Sequence, residues 1–197
     1  STGNQRVADY WSLSTDGLFP DIRIYGKDDN NELRSSNDIF ATTTHEIAHL
    51  GHCMDMGNIQ YWQVNNLIAE SWAEVVEWQL TSLEYQSLGF TNYSYRGALQ
   101  WWKMGVHSAD YTPLFCDLID DFNQRNGGTI QFDTNDNYTI SGGDDYPIDN
   151  VSGYTLANLF NQVLPNSYGL TSLATALKNN KLSGVTDQQI DELISNY

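Results

Sequence analysis

His45-Glu46-Ile47-Ala48-His49 is the stretch on which the reading of this chain turns. It has the form H-E-x-x-H and lies inside a predicted helix from about Asn37 to Met54. Residues four apart share one face of a helix, one turn apart. His45 and His49 can therefore reach one metal ion from the same side. Glu46 is turned about 100° around the axis, so it flanks such an ion rather than binding it. Two imidazoles to hold zinc and one carboxylate to take a proton are the parts of a site that activates water. Of the 4 histidines in the chain, three fall between His45 and His52, so the pairing does not come from abundant histidine. The competing reading is a surface helix with two stray histidines. Asn37 or Thr42 is expected to cap the helix. Phe40, Ile47, Leu50 and Met54 form an apolar stripe, which predicts one side for a core and the other for a metal.

Working outward, 197 residues suffice for one domain with a sizeable core. A hydrophobic content of 40% indicates a globular chain. The net charge of −16 leaves few cations to meet phosphates, which argues against nucleic acid and against an anionic membrane surface. No stretch approaches the roughly 18 apolar residues of a membrane span. The 2 cysteines, Cys53 and Cys116, do not make a disulfide framework; they are expected either as buried thiols or as one bridge. The chain starts at Ser1 without Met and without an apolar leader. It is expected to be a mature or trimmed form of an extracytoplasmic protein, its signal segment absent.

Ahead of the motif, Asp21-Ile22-Arg23-Ile24-Tyr25 alternates polar and apolar and predicts a short strand. That strand is either an ordinary half-buried one or an edge that an extended peptide pairs with. After the motif, Gly57-Asn58 stops the helix, and a second helix is predicted from about Asn66 to Ser87. Leu67, Trp72, Val75, Val76, Leu80 and Leu83 are its apolar positions. Glu70, Glu74 and Glu77 share a face, which is either solvated or set against something cationic. The aromatic run from Phe90 to Tyr111 lines a cleft or fills a core. Thr112-Pro113 opens a third helix that Gly127-Gly128 closes. A hairpin or long loop is predicted from Thr129 to Asp149, with a loose echo of a calcium loop at 133–144 that lacks the required glycine and glutamate. Three short helices follow, from about Tyr154, after Thr171, and from the capping box at Thr186 and Gln189. With no repeat and no linker, the expectation is one domain over 1–197, its motif core at about 21–87 and a helical remainder at 88–197. The fold class is α+β and helix-dominated, with the two long helices packed against a small sheet.

Catalytic zinc takes three protein ligands and keeps one position open. Four residues compete for the third place: His52, Asp55, Glu70 and Glu74. In an unbroken helix His52 lies about 7.5 Å along the axis from the midpoint of His45 and His49, too far for a bond of about 2 Å. His52 and Asp55 therefore need a break at Gly51. Glu70 and Glu74 need only that the second helix packs back on the first, as a short connection favours. One would bind the ion and the other would hold a ligand histidine.

His45-Glu46-x-x-His49 followed by Ala69-Glu70-Ser71-Trp72-Ala73-Glu74 resembles the gluzincin group of zinc metallopeptidases, over roughly Asp21 to Ser87. Ser71 stands where several such families have glycine. The resemblance implies a zincin-like fold, Zn2+ as cofactor, Glu70 as third ligand and Glu74 as the supporting acid. The metzincin pattern fits less well, because His52 stands where its turn glycine belongs. The expected activity is hydrolysis of a peptide or protein substrate at a metal-activated water, with Glu46 as general base. His107, Tyr95 and Tyr111 are candidate donors to the developing oxyanion. The alternative is a non-catalytic binding protein of the cell surface on a zincin scaffold.

Overall fold

The computed structural model describes residues 8–9, 22–27, 30–90, 110–131 and 137–197. Within these the chain is helix-dominated with two small antiparallel sheets. Strand β1 (Ala8–Asp9) pairs with β2 (Arg23–Ile24) ahead of the motif helix. The predicted strand is thus present, in shortened form.

Helix α1 (Ser36–Met56) carries the motif. Its cap is Ser35, not Asn37 or Thr42: the Ser35 hydroxyl accepts the Asp38 N–H at 3.4 Å. The helix runs unbroken through Gly51 and ends at Gly57, whose positive φ of 82° sends its N–H back to the Cys53 carbonyl at 2.9 Å. A single turn, α2 (Asn58–Tyr61), leads to α3 (Asn66–Ser87), capped by the Asn65 side chain on the Leu67 N–H at 2.9 Å. Contacts between the long helices run Ser36 to Tyr85, His45 to Glu77 and His49 to Glu70, so α1 and α3 form an antiparallel helical hairpin.

The predicted apolar stripe of α1 is corrected. Ile47 is 52% and Met54 74% exposed, whereas Ala41, Thr42, His45, Ala48, His49, His52 and Cys53 are buried. Core and metal candidates therefore share one face. The small side chains of Ala41 and Ala48 let the helices approach, and the histidines meet carboxylates of α3 instead of water. Leu80 and Leu83 of α3 are likewise exposed. Leu67, Trp72, Val75 and Val76 are buried as predicted.

Trp72 anchors the core, edge-on to Phe115 at 5.8 Å and stacked on Phe160 at 6.1 Å between ring centres. Phe115 belongs to α4 (Leu114–Ile119), much shorter than predicted. The Asp120 carboxylate accepts the Phe122 N–H at 2.8 Å and so turns the chain out of the helix. The hairpin β3 (Gly128–Gln131) and β4 (Asn137–Ile140) follows. Asp133 and Asn135 of the calcium-loop echo lie outside the described residues, and Asp144 pairs with Arg125 at 2.7 Å.

The tail helices are α5 (Leu156–Asn158), continued by a wide turn and a 3₁₀ turn that takes in Pro165, then α6 (Leu170–Asn179) and α7 (Asp187–Ile194). The predicted capping box at Thr186 is present. Leu159, Val163, Leu164, Leu173, Leu177, Ile190 and Leu193 from this tail join Trp72 and Phe115 in one core. Cys53 and Cys116 are buried free thiols. Among the described residues no helix is long and apolar enough to cross a membrane.

Candidate metal centre

Three predicted ligands meet between α1 and α3. His45 Nε2 and His49 Nε2 are 3.1 Å apart, and each lies 3.3 Å from Glu70 Oε2. A tetrahedral ion with bonds of about 2.0–2.1 Å holds its donors about 3.3–3.4 Å apart. The triangle has the size of such an ion's ligand shell. The donor set, two nitrogens and one carboxylate oxygen, is also what zinc accepts.

The neighbours settle which imidazole atoms face inward. His45 Nδ1 lies 2.9 Å from Glu77 Oε2. A carboxylate accepts, so Nδ1 carries a hydrogen, and Nε2 is the nitrogen left to face Glu70 or, in its place, a cation. His49 Nδ1 lies 3.1 Å from the Tyr61 hydroxyl, a partner that allows the same tautomer. Two imidazole nitrogens and a carboxylate oxygen converge, an arrangement that calls for positive charge, as protons or as a metal ion. A proton can supply it: burial opposes the His45 imidazolium, but hydrogen bonds to Glu70 and Glu77 outweigh burial and push its pKa up to about 10. For Glu70, burial opposes the carboxylate, and the hydrogen bonds from His45 and His49 overcome it, holding its pKa well below the usual range. A metal ion answers the same demand with one bond to each donor.

The carboxylate hydrogen-bonded to His45 Nδ1 is Glu77, where the resemblance pointed to Glu74. Glu74 is buried beside His45, and His45, Glu74 and Glu77 offer atoms within 4.8 Å of one another. The hydrogen bond of 2.9 Å nevertheless goes to Glu77, two turns beyond Glu70. In an antiparallel hairpin, stepping back one turn from His49 to His45 means stepping forward along α3. Only the pairing of the two helices sets that register.

His52 and Asp55 stay out of the site because α1 does not break. Asp55 is exposed. His52 is fully buried, its ring edge-on to Tyr61 at 5.1 Å between centres, and neither ring nitrogen has a hydrogen-bond partner among the described residues. Burial, and then the nearby His49, push its pKa down to about 4, so it stays neutral.

Of the oxyanion candidates, Tyr95 and His107 lie outside the described residues. Tyr111 is at the site. Its ring stacks on His45 at 6.4 Å. Burial first, then the charge of and hydrogen bond to Glu70 and the charges of Glu74 and Glu46, raise its pKa, so the phenol keeps its proton. Glu46 is half-buried and close enough for its charge to act on Tyr111. Ser71 fixes that tyrosine. Its hydroxyl bonds the Asp110 carbonyl at 3.0 Å and the Thr112 hydroxyl at 2.7 Å, and accepts the Thr112 N–H at 3.1 Å. The residue beside Glu70 thus clamps both neighbours of Tyr111 to α3. The motif alone gives Ser71 no role; its contacts link positions about forty residues apart, beyond any local pattern.

On the other edge of the triangle a cleft of about 220 Å³ is lined by His49, Tyr61, Trp62, Val64, Asn66, Ala69 and Glu70. Three comparisons with known proteins return nothing: no family model, no curated protein and no solved structure matches this chain.

Proposed function

We propose that the chain is a zinc-dependent metallopeptidase of zincin-like fold, with His45, His49 and Glu70 as ligands and Glu46 as general base. The observation that carries the reading is the triangle of 3.1, 3.3 and 3.3 Å between two imidazole nitrogens and a carboxylate oxygen, with the outer nitrogen of His45 held by Glu77. A bound zinc would supply a polarising charge for a carbonyl and an acidified water. Glu77 holds the His45 ring with Nδ1 protonated, as a ligand needs, and the Tyr61 hydroxyl permits the same for His49. Glu46 takes the proton from the attacking water and returns it to the leaving amine. Tyr111, still protonated and clamped through Ser71, donates to the carbonyl oxygen as it gains charge. Three ligands and a neighbouring unassigned acid favour chemistry over a purely structural metal, which tends to take four protein ligands.

The test is hydrolysis of an unstructured protein by the zinc-loaded chain. Activity is expected to vanish with a chelator and return with zinc. Glu46→Gln is expected to keep its zinc and lose about 10²–10⁴-fold in rate. Undiminished cleavage by Glu46→Gln would remove that residue from the mechanism, and zinc-loaded protein inert towards every peptide would favour the cell-surface binding reading.

A further inference from the structure

The third histidine of the motif helix has no part in the donor triangle, yet it is the most deeply buried of the three. His52 follows His49 by three residues, so the two side chains leave α1 on the same face, about one turn apart. Neither ring nitrogen of His52 has a hydrogen-bond partner among the described residues. An imidazole held this way loses the hydration of one donor and one acceptor with no hydrogen bond to replace it. An aliphatic residue of similar size would fill the space without that loss. What an imidazole offers beyond an aliphatic chain is an aromatic ring. That ring stands edge-on to Tyr61, with centres 5.1 Å apart and planes at 77°. Such a pairing is directional, the positive rim of one ring meeting the negative face of the other, so it resists rotation as an aliphatic contact does not.

Tyr61 is in turn the neighbour of a proposed ligand, its hydroxyl 3.1 Å from His49 Nδ1. It closes α2, a helix of 4 residues. Its backbone is tied locally: the Tyr61 N–H reaches the Gly57 carbonyl at 3.0 Å, and the Tyr61 carbonyl accepts the Val64 N–H at 3.0 Å. Those bonds shape the turn but leave the side-chain torsions to packing. The hydroxyl lies at the far end of that side chain, and a hydrogen bond weakens steeply as its geometry drifts. We propose that His52 is a positioning residue for the candidate metal centre: its ring, set edge-on against Tyr61, keeps the tyrosine hydroxyl on His49 Nδ1 and so keeps His49 Nε2 turned to the ion. The word ion rests on the metal reading of the triangle, whereas the chain of contacts from His52 through Tyr61 to His49 stands on its own distances. Each clustered histidine of α1 then has a task. His45 and His49 face the metal, and His52 braces the second of them.

Two measurements test this on the full chain. The first reads zinc affinity and unfolding side by side in His52→Leu, Tyr61→Phe and the two changes combined. His52→Leu should be at least as stable as the parent, because two buried unpaired nitrogens are gone. It should nevertheless bind zinc about tenfold more weakly. A residue that only packs would not move stability and affinity in opposite directions. In the Tyr61→Phe background, which has no hydroxyl to position, the same change should cost less than about twofold in zinc affinity. His52→Met reads the same cycle if the leucine variant does not fold. The second measurement needs no metal. With tyrosine rings labelled for NMR, and Tyr61 assigned by its loss in Tyr61→Phe, the Tyr61 ring should flip at least about tenfold faster in His52→Leu than in the parent. Parent-like zinc affinity in His52→Leu, an equal loss with and without the tyrosine hydroxyl, or an unchanged flip rate would overturn the positioning role and leave the metal reading standing. A parent that binds no zinc but shows the faster flip in His52→Leu would support the brace and remove the metal reading.

Discussion

Two regions of this molecule bury carboxylates, and they treat them in opposite ways. Between α1 and α3, Glu70 and Glu77 face imidazoles. Near the C-terminus, Asp117 and Asp149 are buried with other acids: Asp117 holds the Tyr197 hydroxyl at 2.5 Å and the Gln124 amide at 2.9 Å, with Asp120 and Asp149 close enough to act on it. Glu70 is held charged, its pKa driven down by its histidines over the opposition of burial. Asp117 is pushed up to about 8, chiefly by burial and then by Asp120, and Asp149 to about 10, by burial and by Asp117. Burial alone therefore does not decide the state of an acid; the partner does. The first region gathers two imidazoles and a carboxylate at the spacing of a cation's ligands. The second keeps its protons and works as a hydrogen-bonded lock between α4 and the last residue of the chain.

The largest expected effect that separates the regions is on metal. His45→Ala should abolish tight zinc binding, while Asp117→Asn should leave zinc stoichiometry untouched; equilibrium dialysis of both variants against zinc checks this. Next comes the support of the ligands. Glu77→Gln and Tyr61→Phe should each weaken zinc by about 10–100-fold. Normal zinc affinity in both would reduce Glu77 and Tyr61 to packing residues. Ser71→Ala should sharpen the division inside the site. It frees the segment bearing Tyr111, so turnover should drop by about tenfold with zinc affinity retained, as kinetics beside a zinc titration would show. It should also cost about 1–3 kcal/mol of stability, because the buried Thr112 N–H loses its acceptor.

The smallest effect belongs to the second region. Asp117 and Asp149 have folded pKa values above their unfolded ones, so the folded state binds more protons. Stability from this pair is thus greatest below about pH 4 and falls as pH rises through the window up to about 8 for Asp117. Asp117→Asn keeps an acceptor for Tyr197 and removes the ionisation. It should raise the melting temperature at pH 8 by about 2–4 °C, corresponding to about 1 kcal/mol, and flatten the decline between pH 5 and pH 8. A decline as steep as in the parent would place the pH dependence elsewhere.

The motif was legible because helical spacing is local: H-E-x-x-H fixes which side chains share a turn. The bounds of α3 were legible for the same reason, with Asn65 before it and Gly89 after it. The partner of His45 was not. Glu74 and Glu77 are equally acidic and equally placed on α3, and only the antiparallel register selects Glu77. The buried face of α1 was misread because its apolar residues, Ile47 and Met54, point outward while histidines go in. Hydrophobic patterning assumes that polar groups seek water, and it fails where they seek each other. Ser71 and the Asp117–Tyr197 lock involve contacts across long separations, which no window along the chain contains.

The most direct measurement is zinc X-ray absorption on the loaded protein beside Glu70→Gln. The expected result is one zinc per chain with two imidazole nitrogens, one carboxylate oxygen and one further light atom at about 2.0–2.2 Å, with the carboxylate contribution and tight binding lost in the variant. A shell of four protein ligands, or a shell unchanged by Glu70→Gln, would contradict it.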